Sequence, residues 1–451
     1  MTSAELHERV AAARRAHKVP GVSAAFLADG QIVEVADGVA NAYSGVPMTT
    51  HTLAHIGSIT KLMTATLVMQ LVDEGQVDLG RRVIDYLPSF RIADHSALPD
   101  ITVEMLLNHT CGMGGNLLPD RGHDEETLVN TVKRFADEAQ VHRPGKARSY
   151  CNAGTVVAGY LCQQLTGESW YDLVKSRIFS SLHMECAATL PEEALLHNAS
   201  VGHFLDGNGE NVRTSHAFLP LGYAPAGSTT MCTARDLLEF VSAHLRNGAG
   251  ADGGRLLSSE NTARMQRFSG APEYQAFESG IGWRIFQGLI GHGGGGPGIV
   301  SYVSADPRSG TAAAVLTNAE HGVELLRDVL NPFMLQHAGA VPLPTLPQAN
   351  PACRFEPDRY VGVYENNTVI HEVRQDANGL VWTAQAKHKY YDSSPIEPTP
   401  VQLVPVKEGW FLSRTGLHAA NVPALVGFLG ADEGTPAKYL AEQLWLYPRT
   451  N

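Results

Sequence analysis

Three observations in the sequence predict an α+β fold with a small all-β unit at its C-terminal end. Apolar runs of strand character open the chain after Pro20 and return beyond Gly280, while helical segments separated by Gly/Pro loops fill residues 100–250. Beyond a proline-rich stretch, short apolar runs alternate with turn signals almost to the last residue. These transitions divide the chain into a first unit at 1–340, a linker at 341–353 and a second unit at 354–451.

Each element has its own signal. Thr2 and Glu5 form a capping box ahead of Leu6, Val10 and Ala13 on one face, which predicts an amphipathic helix over 3–17, ended by Pro20-Gly21. GVSAAFLADG and QIVEVADGVA flank Asp29-Gly30, a hairpin signal between two antiparallel strands. From Ile59 to about Glu74 the apolar residues Leu62, Met63, Leu67, Val68, Leu71 and Val72 leave almost no polar stripe, so this helix is expected to be central, with Gly75 as its stop. TVEMLLNHT, ETLVNTVKRFADEA, AGTVVAGYLCQQL, SWYDLVKSRIF and ARDLLEFVSAHL read as a helical subdomain. GWRIFQGLIGH, GIVSYVSAD and TAAAVLTN read as strands, followed by a helix over 321–337. Prolines 342, 344, 347 and 351 make the linker extended and stiff. After it, runs such as RYVGVYE, LVWTAQA and QLWLY, separated by turns such as Asn378-Gly379, fit a small β-barrel or a sandwich.

Composition narrows the function. Hydrophobic residues make up 44% and charged residues 18%, the balance of an ordinary globular protein. A net charge of -12, with no run of five basic residues, argues against nucleic acid and anionic membranes as partners. The start, MTSAELHERVAAARRAHK, has no uncharged apolar segment of the secretory kind, and no apolar run approaches the ~20 residues of a membrane span, so a soluble, cytoplasmic protein is expected. Cysteines 111, 151, 162, 186, 232 and 353 lack metal-ligand spacing and read as free thiols. No metal site and no nucleotide cofactor is expected, since HExxH, Walker and Rossmann patterns are all absent.

The chemistry concentrates at the front of the central helix. Only Lys61 among the lysines has a serine three residues before it, and positions i and i+3 share a helical face, which brings its nitrogen to Ser58 Oγ. Free N–H groups at the helix start favour negative charge developing there. A lysine opposes the macrodipole at that place and is followed by a wholly apolar helix, a conflict expected at functional sites. To become a nucleophile the hydroxyl needs a base, either a lysine whose pKa burial has lowered or a tyrosinate beside a lysine. Tyr150, in RPGKARSYCNAG ahead of a new helix, is the candidate phenol, with Asn152 offering an amide. GHGGGGPG, residues 291–298, lies between two predicted strands; its glycines leave the main-chain N–H groups bare to a substrate, with His292 at its head.

With GSITK at 57–61, SYCNAG at 149–154 and HGG at 292–294 in this order, the chain resembles the class C β-lactamase and D-alanyl-D-alanine carboxypeptidase family, which also contains esterases and D-aminopeptidases. The resemblance extends over residues 18–335, and residues 354–448 resemble a lipocalin-like domain. It implies a five-stranded antiparallel sheet flanked by helices, a helical subdomain, and a site between them. In that site Ser58 is the acylated nucleophile and Lys61 with Tyr150 the proton-transfer pair. Asn152 orients Lys61 and contacts the substrate, and the N–H groups of Ser58 and Gly295 form the oxyanion hole. Where β-lactamases carry lysine and threonine in the third motif, this chain has His292 and Gly293, followed by Gly294, so the cation and hydroxyl that grip a substrate carboxylate are missing from it. The expectation is a serine hydrolase for a small-molecule ester or lactone. The alternative is a D-aminopeptidase or amidase, whose substrate amine would meet Asp120, Asp124, Glu125 or Glu126; a non-catalytic scaffold is a further one, and the C-terminal unit offers a surface for a homo-oligomer.

Overall fold

The computed structural model describes residues 1–115, 126–271, 277–387, 400–413, 424–431 and 435–450. Strands β1 (Gly21–Ala28) and β2 (Gln31–Gly38) pair antiparallel around Asp29-Gly30, where both residues take positive φ, as a two-residue hairpin turn requires. They join β3 (Glu278–Ser279), β4 (Arg284–Phe286), β5 (Leu289–Gly296), β6 (Ile299–Asp306) and β7 (Thr311–Thr317) in a seven-stranded antiparallel sheet of order β2-β1-β7-β6-β5-β4-β3. The two short strands at the β5 edge exceed the five that the resemblance implies. Their consequence is local: β4 sets Arg284 opposite Gly291.

Of the helices α1 (Ser3–Ala16), α2 (Thr60–Asp73), α3 (Asn152–Thr166), α4 (Ala234–Leu245) and α5 (Val323–Ala338), α1, α4 and α5 pack on the sheet, while α3 packs on α2. Thr2 and Glu5 make the reciprocal capping box of α1, a device that contributes about 1 kcal/mol. Successive strand residues face opposite ways, so Ala312, Ala314 and Leu316 of β7 enter the core containing α2, α3 and α4, while Ala313 and Val315 enter the core containing α1 and α5. With both faces covered, the inner strands are buried along most of their length on both sides. Helix α2 is buried on nearly every side, as its lack of a polar stripe predicts. Leu62, Met63, Leu67, Val68 and Leu71 are inaccessible, each contributing roughly 1.5–3 kcal/mol by burial.

Residues 362–448 hold strands β8 (Gly362–Glu365), β9 (Val369–Asp376), β10 (Gly379–Ala386), β11 (Val401–Lys407), β12 (Trp410–Ser413), β13 (Ala424–Leu429), β14 (Tyr439–Glu442) and β15 (Trp445–Pro448). Each pairs antiparallel with the next. A bridge between Tyr364 and Arg449, with Thr450 N–H donating to the Val363 carbonyl, brings the last strand back to the first, so the sheet is a nearly closed barrel rather than a sandwich. Tyr360, Tyr364, Trp382, Phe411, Phe428 and Tyr447 fill its interior. The barrel packs on the first unit through Val141, Ala441 and Leu446, and Asn367 donates to the buried Glu138 carboxylate at 2.6 Å. Among the described residues no helix is long and apolar enough to cross a membrane.

Candidate active site

Ser58 sits on a short 3-10 turn, Gly57–Ile59, that leads into α2. The turn is wedged between β5 and the loop 224–230. Gly57 has φ 53°, and a Cβ there would stand 2.6 Å from the Gly295 carbonyl oxygen and 2.7 Å from its nitrogen. Gly227, at φ 105°, approaches from the other side, where a Cβ would lie 2.1 Å from the Gly57 oxygen and 2.9 Å from Ser58 N. Only glycine allows these backbones to meet. The result draws the turn that carries Ser58 and the backbone of Gly295 together beside a half-buried hydroxyl. Gly295 itself is exposed, with nothing within 4 Å of where a side chain would begin.

One turn into α2, Lys61 is 2% exposed. Its Nζ lies 3.0 Å from Ser58 Oγ and donates to the Ala226 carbonyl at 2.6 Å. Burial drives its pKa below the ordinary lysine value; Tyr150 opposes the shift and Arg284 reinforces it. Lys61 Nζ is also 4.8 Å from the centre of the Tyr150 ring. The Tyr150 hydroxyl acts on Lys61 electrostatically, yet its geometry falls short of a hydrogen bond: the oxygen is buried and unpartnered. An unsatisfied buried hydroxyl is costly. Tyr150 rests on the His109 ring at 4.4 Å and edge-on to Trp445 at 5.8 Å.

The glycine run is strand, not loop. Residues 292–296 belong to β5, and Pro297-Gly298 make the turn to β6. Gly293 pairs with Tyr302 and Gly294 with Ser301. His292 is fully buried, its Nδ1 2.7 Å from the carbonyl of the next residue, Gly293. Burial, reinforced by the charges of Arg284 and Lys61, holds its pKa well below 6.5, so it is neutral at physiological pH. The third motif therefore carries no charge. A permanent cation stands next to it on β4: the Arg284 guanidinium is 5.7 Å from the Tyr150 ring centre. Asn152 opens α3 and is half-buried, behind the Cys151 sulfur that caps the helix by accepting from Gly154 N–H. A serine hydroxyl, a buried amine and a phenol thus converge, with a bare strand alongside. Among the described residues no group of three or more His, Cys, Asp and Glu is placed to hold a metal ion.

The Beta-lactamase family model matches residues 6–331. The chain belongs to the β-lactamase family. It is 36% identical over 358 residues to penicillin-binding protein 4 of Amycolatopsis lactamdurans, covering 77% of this chain and 94% of that one. Among solved structures, that of SurE superposes with a TM-score of 0.76 at 24% identity and 99% coverage of both chains. D-amino acid amidase from Ochrobactrum anthropi SV3, complexed with L-phenylalanine amide, superposes with a TM-score of 0.60 at 24% identity, over 72% of this chain and 97% of the other. As a member, this β-lactamase-family protein is a serine hydrolase.

Of the residues that the sequence singles out in this hydrolase, Ser58, Lys61, Tyr150, His292, Gly293, Gly294 and Gly295 lie around one point, with Asn152 two residues beyond Tyr150. Asp120, Asp124 and Glu125 lie outside the described residues, and Glu126 is exposed at the start of the helix Thr127–Arg134. Sequence reasoning missed His109, the Ala226 carbonyl, Arg284 and Trp445, because no spacing links them to Ser58, and His55, three residues before it, because nothing in the segment shows its bond to the Ser228 carbonyl.

His55 has the best defined role among the missed residues of this hydrolase. Its Nε2 donates to the Ser228 carbonyl at 2.9 Å, and its Nδ1 accepts from Gly57 N–H at 3.2 Å, which ties the turn bearing Ser58 to the loop that holds Lys61. Burial lowers its pKa to about 4, keeping the neutral form that can both donate and accept. His55→Ala strands a buried N–H and a buried carbonyl. We expect a loss of ~1–3 kcal/mol in stability and of about tenfold to a hundredfold in kcat with KM nearly unchanged, checked by thermal melts and steady-state kinetics.

Proposed function

We propose that this hydrolase opens carboxylic esters, lactones included, through an acyl-enzyme on Ser58. Ser58 Oγ attacks the carbonyl carbon as its proton passes to the Lys61/Tyr150 pair. The tetrahedral oxyanion is held by the N–H groups of Ser58 and Gly295, and the pair returns the proton to the departing alkoxide. Water repeats the sequence, releasing the carboxylic acid and restoring the serine hydroxyl. Asn152 orients Lys61, and the reacting groups belong to residues 1–340, acting on a small soluble substrate in the cytoplasm.

The observation that carries the ester reading is the neutral, buried His292, its Nδ1 turned to the Gly293 carbonyl, at the head of a glycine strand. Such a strand offers a substrate main-chain hydrogen bonds and itself carries no cation; Arg284, on β4, lies against the Tyr150 ring. A second reading, hydrolysis of small D-amides with the same machinery, is favoured by the fold shared with D-amino acid amidase. A panel of p-nitrophenyl esters, lactones and D-alanine amides, turned over by the wild type and by Ser58→Ala, separates the two. The expected result is Ser58-dependent turnover with neutral esters ahead of amides by at least tenfold in kcat/KM. Amides ahead of esters would replace the first reading by the second.

A further inference from the structure

The barrel does more than sit beside the first unit: the tip of its last hairpin touches Tyr150. Strands β14 and β15 pair Glu442 with Trp445 across the two-residue turn Gln443-Leu444. Gln443 takes φ 50°, a left-handed conformation that a non-glycine residue adopts at a cost. The strained turn reaches the catalytic segment at three points. Tyr150 N–H donates to the Leu444 carbonyl at 2.9 Å, and Leu446 N–H donates to Ser149 Oγ at 3.1 Å. Between these bonds the Trp445 ring stands at 87° to the Tyr150 ring, 5.8 Å centre to centre. An apolar cluster of Val141, Ala441 and Leu446 anchors the hairpin behind them.

From the first unit, Tyr150 has the His109 ring at 4.4 Å, but its backbone N–H is satisfied by the barrel. The hydroxyl makes no hydrogen bond that would fix the ring on its own. The ring is therefore held by what packs on it: His109, His292 at 6.4 Å, the Arg284 guanidinium and the Lys61 amine from the first unit, and Trp445 from the barrel. Edge-to-face contact of this kind is directional as well as apolar.

We propose that the 442–446 hairpin is a working part of the catalytic centre and that Trp445 is a positioning residue, pressing Tyr150 against His109 and so setting its distance to Lys61. This inference rests on the reading of Ser58, Lys61 and Tyr150 as an acyl-transfer centre. It gives the barrel a definite contribution to the reaction without requiring it to touch substrate.

The test uses the full chain with Trp445→Ala, Trp445→Leu and Trp445→Phe, and Tyr150→Phe as control, on a p-nitrophenyl ester. For Trp445→Ala and Trp445→Leu we expect kcat to fall about tenfold to a hundredfold, KM to stay within about twofold, and the pH profile of kcat/KM to shift, because the proton-transfer pair is disturbed. Trp445→Phe, which keeps an aromatic edge, should recover most of the rate and the wild-type profile. A folded Ala or Leu variant with wild-type kcat and pH profile would overturn the proposal, as would a Phe variant no better than Leu. Should Trp445→Ala fail to fold, the Leu and Phe pair decides. Tyr150→Phe at full activity would instead remove the acyl-transfer reading on which the inference rests.

Discussion

Ser58→Ala is expected to abolish ester turnover, by on the order of 10⁴- to 10⁶-fold in kcat, with little change in KM. The expectation follows from what the hydroxyl does and does not hold. Its one described hydrogen bond is to Lys61, and Lys61 keeps its second bond, to the Ala226 carbonyl, when Oγ is removed. The turn itself is fixed by backbone contacts with β5, by Ser301 Oγ donating to the Ile56 carbonyl and by His55, none of which involves Oγ. The variant should therefore melt within a few degrees of the wild type and bind substrate normally, yet form no covalent adduct with a fluorophosphonate. Turnover within about tenfold of the wild type would show that another group attacks the carbonyl.

Lys61→Met should lower kcat/KM by about 10³- to 10⁴-fold, and Lys61→Arg should not rescue it, because guanidinium stays charged at every accessible pH and cannot act as a base. Methionine keeps the length and removes the amine. Burial lowers the folded pKa of Lys61 below the ordinary 10.5. In the window between those two values the unfolded chain binds a proton that the folded chain does not, so this group makes stability rise with pH. Below the folded pKa both states are protonated, and the full cost of burying the cation remains. Lys61→Met removes that cost. Its melting temperature should equal or exceed that of the wild type, and the slope of stability against pH across the window should flatten. In the wild type the rate should rise with pH as the amine loses its proton. A Met variant that is both active and less stable would contradict the assignment on both counts.

The combination, a variant more stable and far less active, is the expected signature of a residue placed against local rules for the sake of function. Ser58 and Lys61 were readable from sequence because helical spacing alone puts them on one face. Helix α1 was readable from its capping box, and the first hairpin from Asp29-Gly30, for the same reason: the determining contacts span only a few residues. The glycine run reads as a link between strands because glycine disfavours strand interiors. It is strand nonetheless, since β6 pairs with its backbone and a strand bare of side chains can lie close to the turn bearing Ser58.

Other features had no local signal. The sequence read the second unit as barrel or sandwich, because strand lengths and turns are alike in both; closure depends on Tyr364 meeting Arg449, residues far apart in the chain. Arg284 and Trp445 belong to the site only because separate segments cross there, and His55, though three residues before Ser58, takes its role from a bond to the distant Ser228 carbonyl. A missing cation in the third motif is plain from His292 and Gly293, whereas the neighbouring guanidinium needs the register of β4 on β5 to be seen.

By itself, then, the sequence determined the order of elements, the Ser58–Lys61 pair, the candidate phenol at Tyr150 and the family to which these motifs belong, all properties of short-range spacing or of motif order. Tertiary structure alone decided that the Lys61 amine is buried, that His292 is neutral, and that a hairpin from the last thirteen residues leans on Tyr150. Those are matters of desolvation and ring packing, which arise only when segments hundreds of residues apart exclude water from one another.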